Sequence, residues 1–209
     1  MKNEVIFDYS VQDECARVIK TLKRSAWYKE QGYKPKYPDL LQKKLEKDEK
    51  INDQDVLEAV SAEFDEKFYA NEVAKIKNDW DLIEEKFFEN LKNLGQPLQE
   101  KYYVCLTKYG TVGSYGWPSD IQININQNRS NSASKTLAHE IVHLTIEPFI
   151  KQYNIEHWTK ERLVNLTMNK FFPETPILQR DPENAEKINE VFEREFPNIE
   201  NIIIGISTL

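Results

Sequence analysis

One stretch constrains this chain more than any other: SKTLAHEIVHLTIEPF, residues 134–149. Leu137, Ile141, Val142 and Leu144 make the helix it predicts partly or wholly buried rather than a surface element. The same turns carry His139, Glu140 and His143, and the 209 residues contain only one other histidine. Two imidazoles buried without partners cost free energy, so the fold must bring something to this helix. Residues four apart on a helix sit one above the other, with Cβ atoms about 5–6 Å apart. Imidazoles on that ridge can converge on one tetrahedral zinc ion, at Zn–N distances of roughly 2.0–2.1 Å. Glu140 follows the first histidine directly, so its carboxylate can reach a water at such an ion without binding the ion itself.

The rest of the chain divides at Pro97. Residues 1–97 read as a helical N-terminal region. In VQDECARVIKTLKRSAW, Val11, Cys15, Val18, Ile19 and Leu22 recur at helical spacing and leave charged residues to the other face. PDLLQKKLEKDEK is a second, very charged helical stretch. Asp55 with Glu58 has the pattern of a helix start, ahead of a stripe of Leu57, Val60, Phe64 and Phe68. One long helix is expected over 71–94, where Val73, Ile76, Trp80, Ile83, Phe87, Leu91 and Leu94 step by three or four before Gly95 and Pro97.

Residues 98–209 change character and form a second region, expected to make one compact unit with the first. KYYVCLTKY is rich in strand formers, GTVGSYGWPSD reads as a glycine-rich connection, and IQINI alternates strictly. The alternation places Ile121, Ile123 and Ile125 on one face of a half-buried strand, expected at a sheet edge. NQNRSNSAS then offers N-cap residues to the helix with the two histidines, and Pro148 is expected to interrupt that helix near its end. Two more helices follow, one capped by Thr159 and stopped by Pro173, the other begun by Asp181 and Pro182. The last segment, NIIIGISTL, has strand-like composition and reads either as a strand packed on the core or as one added to the sheet edge across the cleft. The fold class is α+β: helix-rich, with a small, mostly antiparallel sheet.

Composition narrows the function. A net charge of −7, with no basic run clear of acidic neighbours, argues against a nucleic-acid partner. No apolar h-region opens the chain and no apolar run is long enough to span a bilayer, so no membrane partner is expected. Cys15 and Cys105 lie far apart and make no ligand pair, which fits free thiols and a cytoplasmic location.

A catalytic zinc takes three protein ligands and keeps one position open. The extended metzincin pattern is absent, because Ile146 and Phe149 stand where its glycine and third histidine would be. Glu147 lies beside Pro148 at the helix end, and Glu156 and His157 lie in a turn. Glu161 is the best candidate, since it begins a separate helix that can cross beneath the first. Asn165, one turn further on, shares its face and can accept a hydrogen bond from a ligand histidine.

HEIVH, then seventeen residues, then ERLVN resembles the gluzincin group of zinc metallopeptidases, and the short strand IQINI with HWTKERLVNL is similar to its compact, minimal members. The resemblance covers about residues 101–172. It implies a zincin-like fold with an active-site helix and a glutamate helix. It also implies zinc on His139, His143 and Glu161, with Glu140 as general base and acid for peptide-bond hydrolysis. Asn165 departs from the aspartate common in that group. The partner implied is a peptide or protein substrate. Tyr153, His157 and Arg162 are candidate donors to an oxyanion, and Tyr115 and Trp117 are candidates to line the cleft. The alternative is a zinc-containing binding or regulatory protein with little or no proteolytic activity.

Overall fold

In the computed structural model, which describes residues 3–127, 133–174 and 180–209, the chain is α+β and helix-rich. It begins with a strand, β1 (Glu4–Asp8), which a purely helical N-terminal region does not include. Helices α1 (Val11–Lys23), α2 (Ser25–Glu30), α3 (Asp39–Glu46), α4 (Asp53–Glu63), α5 (Glu66–Asp81) and α6 (Glu84–Lys92) follow. Three strands come next: β2 (Lys101–Thr107), β3 (Gly113–Gly116) and β4 (Asp120–Asn124). The chain closes with α7 (Ala133–Gln152), α8 (His157–Phe171), α9 (Ala185–Glu195) and α10 (Ile199–Ile206).

The strands form one sheet in the order β1-β2-β4-β3. β1 and β4 both run parallel to β2, and only β3 with β4 is antiparallel, so the sheet is mostly parallel. Parallel neighbours need long crossovers, and here the whole run from α1 to α6 supplies one of them. The N-terminal half is thus wound into the sheet of the C-terminal half. β4 carries the alternating IQIN but sits between β2 and β3, inside the sheet. The edge on that side is β3, a strand hidden in what the sequence presents as a glycine-rich connection. Its four residues are too short to show a period.

Local rules explain several boundaries. Asn52, not Asp55, caps α4, and Asp55 completes a capping box by accepting from the Asn52 backbone N–H at 2.9 Å. The apolar stripe expected over 71–94 is shared by α5 and α6, which part at Leu82 and Ile83. α8 starts at His157 after Glu156, ahead of Thr159, and α9 starts at Ala185 after Asn184, beyond Asp181 and Pro182. Pro148 lies inside α7, which continues to Gln152. NIIIGISTL is not a strand: its first six residues belong to α10, in which Ile199, Ile202, Ile203 and Ile206 make a buried i, i+3, i+4, i+7 face. Of the loop before α7, residues 128–132 lie outside the described residues.

The main core joins both halves. Tyr69, Trp80 and Phe87 from the N-terminal helices pack in one cluster with Ile121, Ile123, Leu137, Ile141 and Phe192. A smaller cluster around Val18, Leu41, Val60 and Tyr109 lies under α1, α3 and α4. Among the described residues no helix is long and apolar enough to cross a membrane.

Candidate metal centre

α7 is buried along most of its length, and Ser134, Glu140, His143 and Thr145 are buried with its apolar residues. After Gln152 the chain turns through Asn154, in the left-handed region at φ 51°, while Tyr153 and Ile155 donate backbone N–H groups to Phe149 and Ile150. That turn sends α8 back against α7. It brings Glu161 beneath the two histidines.

His139, His143 and Glu161 then form the one cluster of potential metal ligands among the described residues. The two Nε2 atoms lie 3.0 Å apart, and Glu161 oxygens stand 3.5 Å from His139 Nε2 and 3.4 Å from His143 Nε2. Donors around one tetrahedral zinc at its usual bond lengths stand roughly 3.3 Å apart. The Glu161 carboxylate faces His139 with Oε2 and His143 with Oε1, so each oxygen stands near that separation from one imidazole, and one ligand atom from each of the three residues lies within 4.8 Å of the others. His143 is 2 % exposed and His139 is half-buried, so the cluster opens to solvent on the His139 side.

Glu140 is not a member of this cluster, although it is only 6 % exposed. Its carboxylate lies against the backbone of β3 at Gly113, where a Cβ would overlap it and would come within 2.7 Å of Thr136 Cγ2. Burial pushes the Glu140 carboxyl up to about 7, with Glu161 adding to the rise and His139, Lys160 and Arg17 opposing it. Burial also brings His143 down to about 4, against the pull of Glu161. Glu161 is held well below the carboxylate range: burial opposes ionisation, but the two histidines outweigh it. His139 is raised, because Glu161 and Glu140 outweigh its burial. An ionised Glu161 and a neutral His143 are the states a cation requires.

The surrounding side chains sort the other candidates. Glu147 accepts a 2.6 Å hydrogen bond from the Tyr115 hydroxyl and stands apart from the ligand cluster. His157 places Nδ1 3.9 Å from Glu161 and pairs Nε2 with the Tyr33 hydroxyl at 3.0 Å, packed between Trp27 and Trp158. Arg162 turns to Asn189 and Asp181, on the α9 side. Tyr153 lines a shallow pocket with Asn184 and Ile206 near the chain end. Trp117 stands 54 % exposed after β3, beneath Lys151. Among the described residues, the buried Nδ1 of His143 has no hydrogen-bond partner.

Three residues at the centre were not singled out from sequence for the parts they play. Lys160 lies 3.9 Å from Glu161 and donates to the Tyr115 hydroxyl at 3.0 Å. Tyr115, a cleft-lining candidate, stacks on His143, and its hydroxyl stays protonated through burial and its bond to Glu147. Arg17, assigned to the solvent face of α1, is 1 % exposed. Only the last left a trace: Glu14, Arg17 and Thr21 follow Val18's own helical spacing, and all four are buried.

No family model, curated protein or solved structure matches this chain.

Proposed function

We propose that this protein is a zinc-dependent peptidase in which His139, His143 and Glu161 hold the ion and Glu140 is the general base and acid. The observation that carries the reading is the division of labour between two buried glutamates. Glu161 belongs to the ligand cluster and is held ionised, whereas Glu140 stands outside it with its carboxyl pushed up to about 7. A group poised near neutrality is suited to taking a proton and giving it back.

Zinc, when bound, supplies Lewis acidity that polarises a carbonyl and acidifies water. The Glu140 carboxylate takes the proton of the attacking water and delivers it to the departing peptide nitrogen. The water oxygen bonds to the carbonyl carbon, and the C–N bond breaks. Lys160, 3.9 Å from Glu161 with Tyr115 beside it, is the cationic donor that fits the negative charge developing on the carbonyl oxygen. The substrate class is an extended peptide: among the described residues β3 pairs on one side only, packs against α7, and offers main-chain groups to a further strand.

A second reading, a zinc-holding binding or regulatory protein, draws on the burial of His143, Glu140 and Glu161. The test separates the two. Zinc analysis of the purified chain should give about one ion per molecule, lost in His139→Ala. Cleavage of a broad peptide library should be present in the wild type and absent in Glu140→Gln, which keeps its zinc. A zinc-replete wild type that cleaves nothing supports the second reading.

A further inference from the structure

Arg17 reaches from α1 into the strand side of the site, and among the described residues the hydrogen bonds of its guanidinium go to neutral oxygens between Tyr109 and Gln122, on β3, β4 and the loop before them. Nη1 donates to Ser114 Oγ at 2.8 Å and to Gln122 Oε1 at 2.9 Å. Nη2 donates to Thr111 Oγ1 at 3.2 Å, and Nε to the Tyr109 carbonyl at 3.5 Å. Taking a cation out of water is costly, and a planar fork is the group that can span several acceptors at once. The chain also makes room for it: Gly110, at φ 81°, packs directly on the guanidinium, where any side chain would overlap it. Between Thr111 and Ser114, both held by Arg17, lies Gly113, whose backbone is the wall against the Glu140 carboxylate.

We propose that Arg17 is a positioning residue for Glu140: by gripping the strand on both sides of Gly113, it sets the place of the β3 edge against the Glu140 carboxylate. The N-terminal half is on this account part of the active site, through α1. The proposal rests on the peptidase reading of Glu140, and Arg17 touches neither substrate nor metal ligand in it. Its loss lets β3 shift away from Glu140, while α7 and α8, which hold the ligand cluster, stay as they are.

The test compares the full-length wild type with Arg17→Met and Arg17→Lys. In Arg17→Met, zinc content and zinc affinity should equal the wild type, while kcat falls by about tenfold to a hundredfold, far more than KM changes, as expected of a misplaced catalytic group. Hydrogen exchange of the metal-free protein supplies a readout independent of activity. Amides of residues 111–116 should exchange faster, and those of α7 should be unchanged. Arg17→Lys should recover little, because an ammonium cannot span three side-chain acceptors. If Arg17→Met does not fold, Thr111→Val combined with Ser114→Ala removes two of the acceptors from the other side and should show the same pattern. Wild-type kcat with unchanged exchange in the folded variant overturns the proposal, and so does loss of zinc along with activity. A wild type that cleaves no peptide overturns the peptidase reading, and this proposal falls with it. An Arg17 variant matching a cleaving wild type overturns this proposal alone.

Discussion

Tyr115 lies face to face with His143, ring centroids 4.8 Å apart and planes inclined by 14°. One side chain of the edge strand is thereby bound to the orientation of a metal-ligand candidate, and its hydroxyl joins Lys160 to Glu147. The stack and the hydroxyl can be separated. Tyr115→Phe should keep zinc and lose thermal stability only modestly. Tyr115→Leu should lose more, by roughly 0.5–1.5 kcal/mol for the ring pair beyond the lost burial. Lys160→Met should keep zinc and lower kcat about 10²–10³-fold, the usual effect of removing one oxyanion donor. Zinc titration and steady-state kinetics on the three variants check this, and equal kcat in Lys160→Met excludes it as the donor.

Removing the metal should be visible as stability. A ligand that binds only the folded chain stabilises it by about 2.7 kcal/mol at a concentration a hundred times its dissociation constant. Thermal unfolding with and without a chelator should therefore differ in the wild type. His143→Ala should abolish the difference, because His143 Nε2 stands 3.0 Å from His139 Nε2 and 3.4 Å from Glu161.

Glu140→Gln keeps the size of the side chain and its place beside Gly113 but cannot accept the proton. Peptide hydrolysis should fall roughly 10²–10⁴-fold, the range for loss of a general base. Zinc content should be unchanged, since Glu140 stands outside the ligand cluster. Full hydrolysis in this variant would sink the assignment.

Zinc affinity should depend on pH mainly through His139. Glu161 is held ionised and His143 is brought down to about 4, so both are ready to bind at neutral pH. His139 is raised above 6.5, and a ligand must give up its proton before it binds. Affinity should then rise by up to about one decade per pH unit as the pH climbs through the His139 pKa, and level off above it. Competition with a chromophoric chelator from pH 6 upward measures this. A flat profile across the neutral range contradicts it.

Deletion of residues 199–209 distinguishes a structural tail from an inhibitory one. α10 buries Ile199, Ile202, Ile203 and Ile206, and Gly205 packs so closely on Val191 that a Cβ would lie 2.7 Å from its Cγ1. Four isoleucines at about 1.5–3 kcal/mol each rival the whole stability of an ordinary domain. The truncated chain should be insoluble or unfolded, and higher activity would show that α10 masks the site.

Much of the site was legible before any folding was considered. His139 and His143 share a ridge because helical geometry puts every fourth residue there, and HEIVH sits in a run too apolar to be anything but a buried helix. Glu161 was the best candidate because it begins a separate helix that can cross beneath the first, and the structure brings it within 3.5 Å of both imidazoles. IQINI was legible as a strand from its alternation. Its place in the sheet was not, because a period of two tells which face is buried and says nothing about neighbours.

What the sequence determined by itself is local: where helices and strands form, and which residue types meet along one helix face. The tertiary structure alone decided the relations between distant segments. It threaded the N-terminal half into the sheet through β1, put β3 at the edge beside β4, and folded Ile199–Ile206 as a helix because Ile199, Ile202, Ile203 and Ile206 had a core to enter. It also buried Arg17, on the charged face of α1, against β3, the strand that Glu140 packs on. The physical reason is the same in each case. Hydrogen-bond ladders, buried cations and close backbone approaches join residues about a hundred positions apart, and neither periodicity nor propensity reaches that far.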